Sequence, residues 1–353
     1  MVSEDEWEMV QKPKEDEWLL TTKDGVVEDR PRSHRDRGHP LGEVFSPVQQ
    51  KACKRLLPEA IPVVFGHQRK KSKLKFDVVT AKVVEEVDRE VVRKHVAYTI
   101  VMKRAMGEGR PAVISRRYTE FADLYNRLIE SSSDSTNKLA KFPFPKKVVV
   151  GNLEARTVTE RTNAFHKMLN LIANTDNILY SECFQRFLYQ AELSEAVSNL
   201  KLGKFKEAAH LLETIFYIKE KLLTVSHVTV FEALMELVAC LVAAGEDEEA
   251  FRYTLVGNLS LQLMPREDIR VGRLKVPFLK LASSLAQVLG RDPKPYSHQL
   301  SEMRSKGERT EGKESLLDVV KEKYMYKATH TSVPGDQPPS FLRASINFVC
   351  KDI

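Results

Sequence analysis

Ile114–Leu128 reads ISRRYTEFADLYNRL, and this stretch decides the fold. Ala112 to Tyr118 (AVISRRY) has the composition of a short strand. Phe121, Leu124, Tyr125, Leu128 and Ile129 then recur at helical spacing. A strand therefore runs into a helix, with Arg116, Arg117 and Tyr118 at the strand end.

Upstream, Leu74–Val87 (LKFDVVTAKVVEEV) and Val91–Lys103 (VVRKHVAYTIVMK) are valine-rich and alternate imperfectly, as strands do. The charged run Glu85–Glu90 turns between them, and AMGEGRP (105–111) forms the next loop. Three such strands predict one antiparallel sheet, which needs a covering layer. The helix after Tyr118 supplies part of it. Phe165, Met168, Leu169 and Ile172 form a second apolar stripe, and Cys183, Phe184, Phe187 and Leu188 a third. Between the first two helices lies a serine-rich loop and then Phe142–Gly151, FPFPKKVVVG. Pro143 and Pro145 cannot continue a helix and preset an extended, stiff loop.

The chemistry of this first unit, about 72 to 190, is phosphate binding. Arg116 and Arg117 stand beside Tyr118, Lys146 and Lys147 end the proline-stiffened loop, and Arg161 begins a helix. Arginine offers a planar fork matched to phosphate, and lysine a point charge. Spacing alone does not show that these groups converge, and each taken singly also suits a surface base.

From Ala191 the pattern is helical. Leu193, Ala196, Val197 and Leu200 share one face, and Gly203 ends or turns that helix. Further stripes run through Phe205–Phe216, Phe231–Leu241, Ala250–Leu261 and Val276–Leu289. LKLGKFKEAAHLLE (200–213) parallels LVAAGEDEEAFRYT (241–254), with Gly203 and Gly245 each leading into an alanine-containing helix. The pattern resembles tetratricopeptide helix-turn-helix repeats, although the 42-residue spacing exceeds their usual period of about 34. A bundle whose alanines merely allow close packing is the alternative.

Across its 353 residues the chain is 42% hydrophobic and 29% charged, a globular mixture long enough for two domains. Cysteines at 53, 183, 240 and 350 are too scattered for a disulfide scaffold or a zinc-ligand set. The apolar run Leu237–Ala244 is far shorter than the roughly 20 residues a bilayer span needs. The acidic opening MVSEDEWEMV argues against a signal or transit peptide, and an intracellular protein is expected. Residues 1–29 carry a net charge of −7, and residues 30–75 carry +9. Together, 1–71 read as a disordered acidic head and basic neck. The patch QRKKSKLK (68–75) is suited to attract an anionic surface or to solubilise the first strand. The head holds EDEW twice, ending at Trp7 and Trp18, a composition suited to short-motif partners. The first copy resembles a motif read by autophagy adaptors; EDEWLL resembles an acidic-dileucine signal.

ISRRYTEFADLYNRL, FPFPKKVVVG and TERTNAFHKMLNLI (159–172), in that order, resemble a phox-homology (PX) domain. The resemblance implies an α+β fold with a three-stranded antiparallel sheet packed on helices. It also implies residue roles toward phosphatidylinositol 3-phosphate. Arg117 matches the arginine that grips the 3-phosphate, and Tyr118 the aromatic lying against the inositol. Lys147 matches the loop lysine reaching the 1-phosphate, with Lys146 a close alternate. Arg161 matches the arginine bonding the 4- and 5-hydroxyls. The family loop usually opens on two consecutive prolines, whereas this one has Phe142-Pro143-Phe144-Pro145. Apolar residues near that loop enter the bilayer in the family; here Val148–Val150 suit insertion or core equally. Glu120 and Phe121 are expected to be structural.

The layout resembles the sorting-nexin subgroup represented by sorting nexins twenty and twenty-one, a PX domain followed by an all-α, tetratricopeptide-like PX-associated domain. The resemblance is strongest at FLYQAELSEAVSNLKLGKFKEAAHLLE and extends to a closing helix at Ser315–Lys327. The expected domains are 72–190 and 191–327, with a tail at 328–353. The resemblance implies attachment to the cytosolic face of early endosomes and recruitment of a cargo tail, adaptor or cytoskeletal protein through 191–327. A protein-interaction scaffold with weak, absent or different phosphoinositide binding is the rival reading. An enzyme is not expected: G-x-G-x-x-G, Walker, H-E-x-x-H and G-x-S-x-G motifs are missing from the sequence. No metal or cofactor is expected. Nucleic acid is disfavoured, since the bases concentrate in the neck with no aromatic platform. Without long coiled-coil periodicity, attachment and cargo selection are expected rather than membrane tubulation.

Overall fold

The computed structural model of the chain describes residues 73–88, 91–104, 110–131, 139–148, 150–223, 226–264, 269–311 and 314–329. The EDEW pair, the basic neck and the tail beyond 329 lie outside the described residues.

Strands β1 (Leu74–Asp88), β2 (Val91–Arg104) and β3 (Ala112–Arg117) form one antiparallel sheet in that order. The register sets Ile100 opposite Ile114 and Met102 opposite Ala112, so period-two alternation gathers the apolar residues on one face. Phe76, Tyr98, Ile100, Met102 and Ile114 are buried there. A bulge between Val78 and Thr80 shifts the β1–β2 register. β3 pairs with β2 only over Ala97–Met102, so the β1–β2 ribbon extends past the Arg117 end of β3.

Helices α1 (Tyr118–Glu130) and α2 (Ala155–Ala173) cover the sheet. Phe121 of α1 stacks on Phe165 of α2 with ring centroids 3.8 Å apart, and Tyr98 meets Phe165 edge-on at 4.9 Å. The Asn170 side chain accepts the Phe76 N–H and donates to the Phe76 carbonyl, imitating a neighbouring strand on β1. After the four-residue α3 (Asp176–Leu179), Ser181 caps the long helix α4 (Glu182–Lys201). Phe184, Phe187 and Leu188, in the first half of α4, belong to the aromatic core; Ala196 and Leu200, in the second half, are buried as well. α4 itself packs on α1 and on the helix that follows it. It therefore runs unbroken through the 190/191 position where the sequence changes character.

The rest is helical: α5 (Phe205–Leu222), α6 (Val228–Ala243), α7 (Asp247–Leu263), α8 (Ile269–Val288), α9 (Lys294–Ser305) and α10 (Leu316–Thr329). α5 packs between α4 and α6, while α6 also meets α7, α8 and α10, which explains its nearly all-apolar sequence. The two glycines of the repeat do the same work. Gly203 and Gly245 take φ of 73° and 78° just past α4 and α6. In each turn the next residue donates back, Lys204 to Asn199 and Glu246 to Leu241, and a new helix starts at once. The fold is a PX-like sheet packed on helices, followed by a tetratricopeptide-like helical run.

In the helical run, two helices differ from the sequence reading. α8 starts at Ile269 rather than Val276, because Pro277 sits inside it rather than in its first turn. α9 went unread: KPYSHQLSEMRS buries only Tyr296, Leu300 and Met303, too few for a clear stripe.

The sheet is fastened to the helices by three arginines. Arg104 donates to the Glu220 and Leu223 carbonyls, at 3.3 and 3.0 Å, at the C-terminal end of α5 where the helix dipole is negative. Arg110 pairs with Glu213 of α5 at 2.8 Å. Arg116, only 2% exposed, forms two bonds of 2.6 and 2.7 Å to the Glu192 carboxylate of α4. It also donates to the Phe187, Leu188 and Ser115 carbonyls.

Candidate phosphate-binding site

Adjacent arginines at the end of β3 face opposite ways because the strand alternates. Arg116 is turned inward, and its Nη atoms and Nε are committed to α4 and the backbone. The expectation that it shares in phosphate chemistry is corrected: a guanidinium filled with protein acceptors has no donors left for a ligand. Arg117 is exposed, and its backbone N–H is taken by the Glu120 carboxylate at 2.8 Å. That bond starts α1 at Tyr118, so Tyr118 is the first helical residue rather than the last of the strand. Glu120 is structural, as expected, and so is Phe121, fully buried against Phe165.

Tyr118 is where the other elements meet. Its hydroxyl donates to the Pro145 carbonyl at 2.8 Å, closing the loop onto α1. Its ring lies 4.1 Å from the Arg161 guanidinium carbon, a close cation–π contact. Burial raises the Tyr118 phenol pKa, and Arg161 opposes that rise. Arg161 lies in the second turn of α2, not at its start as the sequence suggested. The leading turns, ARTVTE, are mostly exposed and carry no apolar stripe to mark them. Arg161 is 4% exposed, and its Nε–H has no protein acceptor.

The phenylalanines that replace the expected proline pair anchor the loop. Phe144 stacks on Tyr125 at 4.6 Å and approaches Tyr118 and Phe165 at 6.0 and 5.9 Å. The Tyr125 hydroxyl donates to the Phe142 carbonyl at 3.3 Å. Lys146 and Lys147 follow and are exposed. Arg117 is the residue before Tyr118 and Lys146 the residue after Pro145, so each of the two groups joined by the Tyr118–Pro145 bond has a cation as its chain neighbour. Val148 is 39% exposed and Val150 85%, so neither is core. The structure thus brings Tyr118, Arg161 and the Lys146–Lys147 loop together at the end of β3. Sequence reasoning missed Phe144 as the loop's anchor and Tyr98, which shares the Phe165 ring with it.

A groove of about 260 Å³ lies among α5, α6 and α7, with Leu237 and Leu241 in its lining and Glu213, Glu246 and Glu249 as its acids. Among the described residues, no three acidic, histidine or cysteine side chains are grouped to hold a metal. No described helix is long and apolar enough to cross a membrane.

Residues 105–191 match the family model for the PX domain. PX domains are binding modules, not catalysts. The match begins at residue 105, yet β1 and β2 complete its sheet.

Beyond that domain, the chain is similar to named sorting nexins. It is 28% identical to sorting nexin-20 of Bos taurus over 62% of its own length and 66% of the relative's. It is 29% identical to the Rattus norvegicus sorting nexin-20 over 64% and 70%, and 27% identical to sorting nexin-21 of Mus musculus over 70% and 66%. The chain thus spans about two thirds of each relative's length. No solved structure matches it.

Proposed function

We propose that this chain is a peripheral, non-catalytic recruitment protein of endosomal membranes. Its PX domain reads phosphatidylinositol 3-phosphate, and residues 191–327 hold a cargo tail, an adaptor or a cytoskeletal protein. The observation that carries the reading is Tyr118, which is hydrogen-bonded to the lysine-bearing loop and pressed against buried Arg161. In this reading Arg117 takes the 3-phosphate, the Tyr118 ring lies under the inositol, and Arg161 bonds the ring hydroxyls. Lys147 reaches the 1-phosphate, with Lys146 beside it. A planar fork and point charges at one end of a pre-set aromatic cluster suit a ligand with two phosphates. Exposed Val148 and Val150 follow the lysines directly, which supports shallow insertion beside the headgroup. The basic stretch at 69–75 adds attraction that salt weakens. The similarity to sorting nexins supports the trafficking role and a location on the cytosolic face of early endosomes. The groove among α5–α7 supports a partner surface in the helical part.

Co-sedimentation of the full chain with liposomes carrying each phosphoinositide in turn, at two salt concentrations, tests the reading. Selective binding to the 3-phosphate lipid, abolished by Arg117→Ala, is expected. Binding to every anionic lipid that is lost in salt and indifferent to Arg117→Ala would refute it. Function would then rest with the partners of the helical part.

A further inference from the structure

Tyr98 is a costly choice for its position. Its neighbours on the inner face of β2, Val96, Ile100 and Met102, are apolar side chains, and Tyr98 itself is completely buried. Phenylalanine would fill the same space. The ring is fixed by edge-on contacts to Phe121 at 6.2 Å and Phe165 at 4.9 Å, so the hydroxyl has a defined place. Yet no donor meets that hydroxyl in well-aligned hydrogen-bond geometry. A buried hydroxyl left unpaired is unfavourable, so such a group calls for a role.

Its surroundings suggest one. Burial raises the Tyr98 phenol pKa, hydrogen bonding to Arg161 and its positive charge pull it down, and Tyr118 adds a smaller push upward. The Arg161 cation is thus the charged neighbour of this hydroxyl. The Nε–H of Arg161 is also buried and without an acceptor. Arg116, directly across from Tyr98 on β3, does not compete, since its guanidinium is spent on α4. A phenol oxygen with no well-aligned donor therefore has as its charged neighbour a residue whose Nε–H lacks an acceptor.

We infer that Tyr98 is a positioning residue for Arg161: its oxygen accepts the Nε–H when ligand is bound. The terminal N–H groups of the guanidinium are then aimed past Tyr118 at the inositol hydroxyls. Hydrogen bonds that are long or misaligned in an empty site commonly tighten on binding. This rests on the phosphoinositide reading and adds a residue to it from the opposite side of the core.

The test is calorimetric titration of the full chain with inositol 1,3-bisphosphate, the soluble headgroup. Four proteins are compared: wild type, Tyr98→Phe, Arg161→Lys and the double variant. Tyr98→Phe removes one oxygen, and its melting temperature should stay level or rise. Its affinity should fall about fivefold, the worth of one ordinary hydrogen bond. In the Arg161→Lys background, which lacks the Nε–H, the same change should cost nothing further. The Arg161 Nε–H proton resonance should also become protected from exchange when ligand binds wild type, and not in Tyr98→Phe. Unchanged affinity in Tyr98→Phe, or an equal loss in both backgrounds, would overturn the inference while leaving the lipid reading intact. Absence of headgroup binding by the wild type would overturn the lipid reading, and the inference with it.

Discussion

Replacing Arg116 by methionine separates two neighbouring arginines that the sequence writes identically. Arg116 makes five hydrogen bonds, all between 2.6 and 2.9 Å, and two go to the Glu192 carboxylate. Its guanidinium also lies 5.7 Å from the Phe187 ring centre. Methionine keeps much of the volume but strands Glu192, whose side chain is only 15% exposed, and frees two buried carbonyls of α4. Breaking one side of a buried, hydrogen-bonded ion pair costs about 3–5 kcal/mol. At roughly 2–4 °C per kcal/mol for a folded region of this size, the melting temperature should fall by about 10 °C. Circular dichroism at 222 nm, followed through a thermal ramp, reads this directly. Well below its own transition, Arg116→Met should retain lipid selectivity. Arg117→Met should do the reverse, keeping the transition and losing the lipid. A loss under about 1 kcal/mol in Arg116→Met would mean that the pair is as screened as a surface bridge, refuting its role as a fastener. Loss of lipid selectivity in the still-folded variant would refute the division of labour.

Four further outcomes are expected. Gly257→Ala should destabilise by about 1–3 kcal/mol in urea denaturation, because the new Cβ would sit 2.7 Å from Phe278 Cζ and 3.0 Å from Met235 Cε in a packed helix interface. Gly245→Ala, with nothing within 4 Å of its Cβ, should cost about 1 kcal/mol from its positive φ alone, and equal losses at the two sites would refute the steric account. Burial raises the Glu236 pKa, but Lys323, Lys219 and the Lys323 and Tyr324 hydrogen bonds outweigh it and hold the carboxyl below its ordinary value. A depressed folded pKa gives stability that is present above about pH 4.5 and lost on further acidification, so the advantage of wild type over Glu236→Gln in urea should shrink as pH falls below that value; a constant difference would refute the ion pairing. Val150→Glu should weaken binding to liposomes several-fold while leaving affinity for the soluble headgroup unchanged, and an equal effect on both would argue against insertion.

Much of the fold was legible because its elements are strongly patterned. β1, β2 and β3 end within a residue of where valine content and turns place them. α1 shows its Phe121–Leu124–Leu128 stripe plainly. The first turns of α2 and the whole of α9 were hidden because they bury too little to leave a pattern. In the candidate site, Tyr118 and Arg161 could be named from the motif but not brought together, since their contact crosses 43 residues of chain. Arg116 is the instructive miss. Ala112, Ile114 and Arg116 share one side of β3, so strand alternation already pointed it inward. The reason a charge is tolerated there is Glu192, 76 residues on, and that no local pattern shows. Tyr98 looked like one more aromatic in a strand; only its buried hydroxyl, without a well-aligned donor, marks it out.

Because α4 runs from Glu182 to Lys201 without a break, the two halves of this protein are not interchangeable modules. A fragment cut after residue 190 would end inside a helix and leave Glu192 behind, so Arg116 would stay buried with its charge unanswered. A fragment cut after Lys201 would keep that pair but lose the α5 end that Arg104 caps and the Glu213 that Arg110 meets. Domain swaps with a related chain would therefore have to carry all three arginines and their partners across the seam. A graft that did so would inherit the packing of the sheet end on the helices, where a flexible linker would have left the two free of each other.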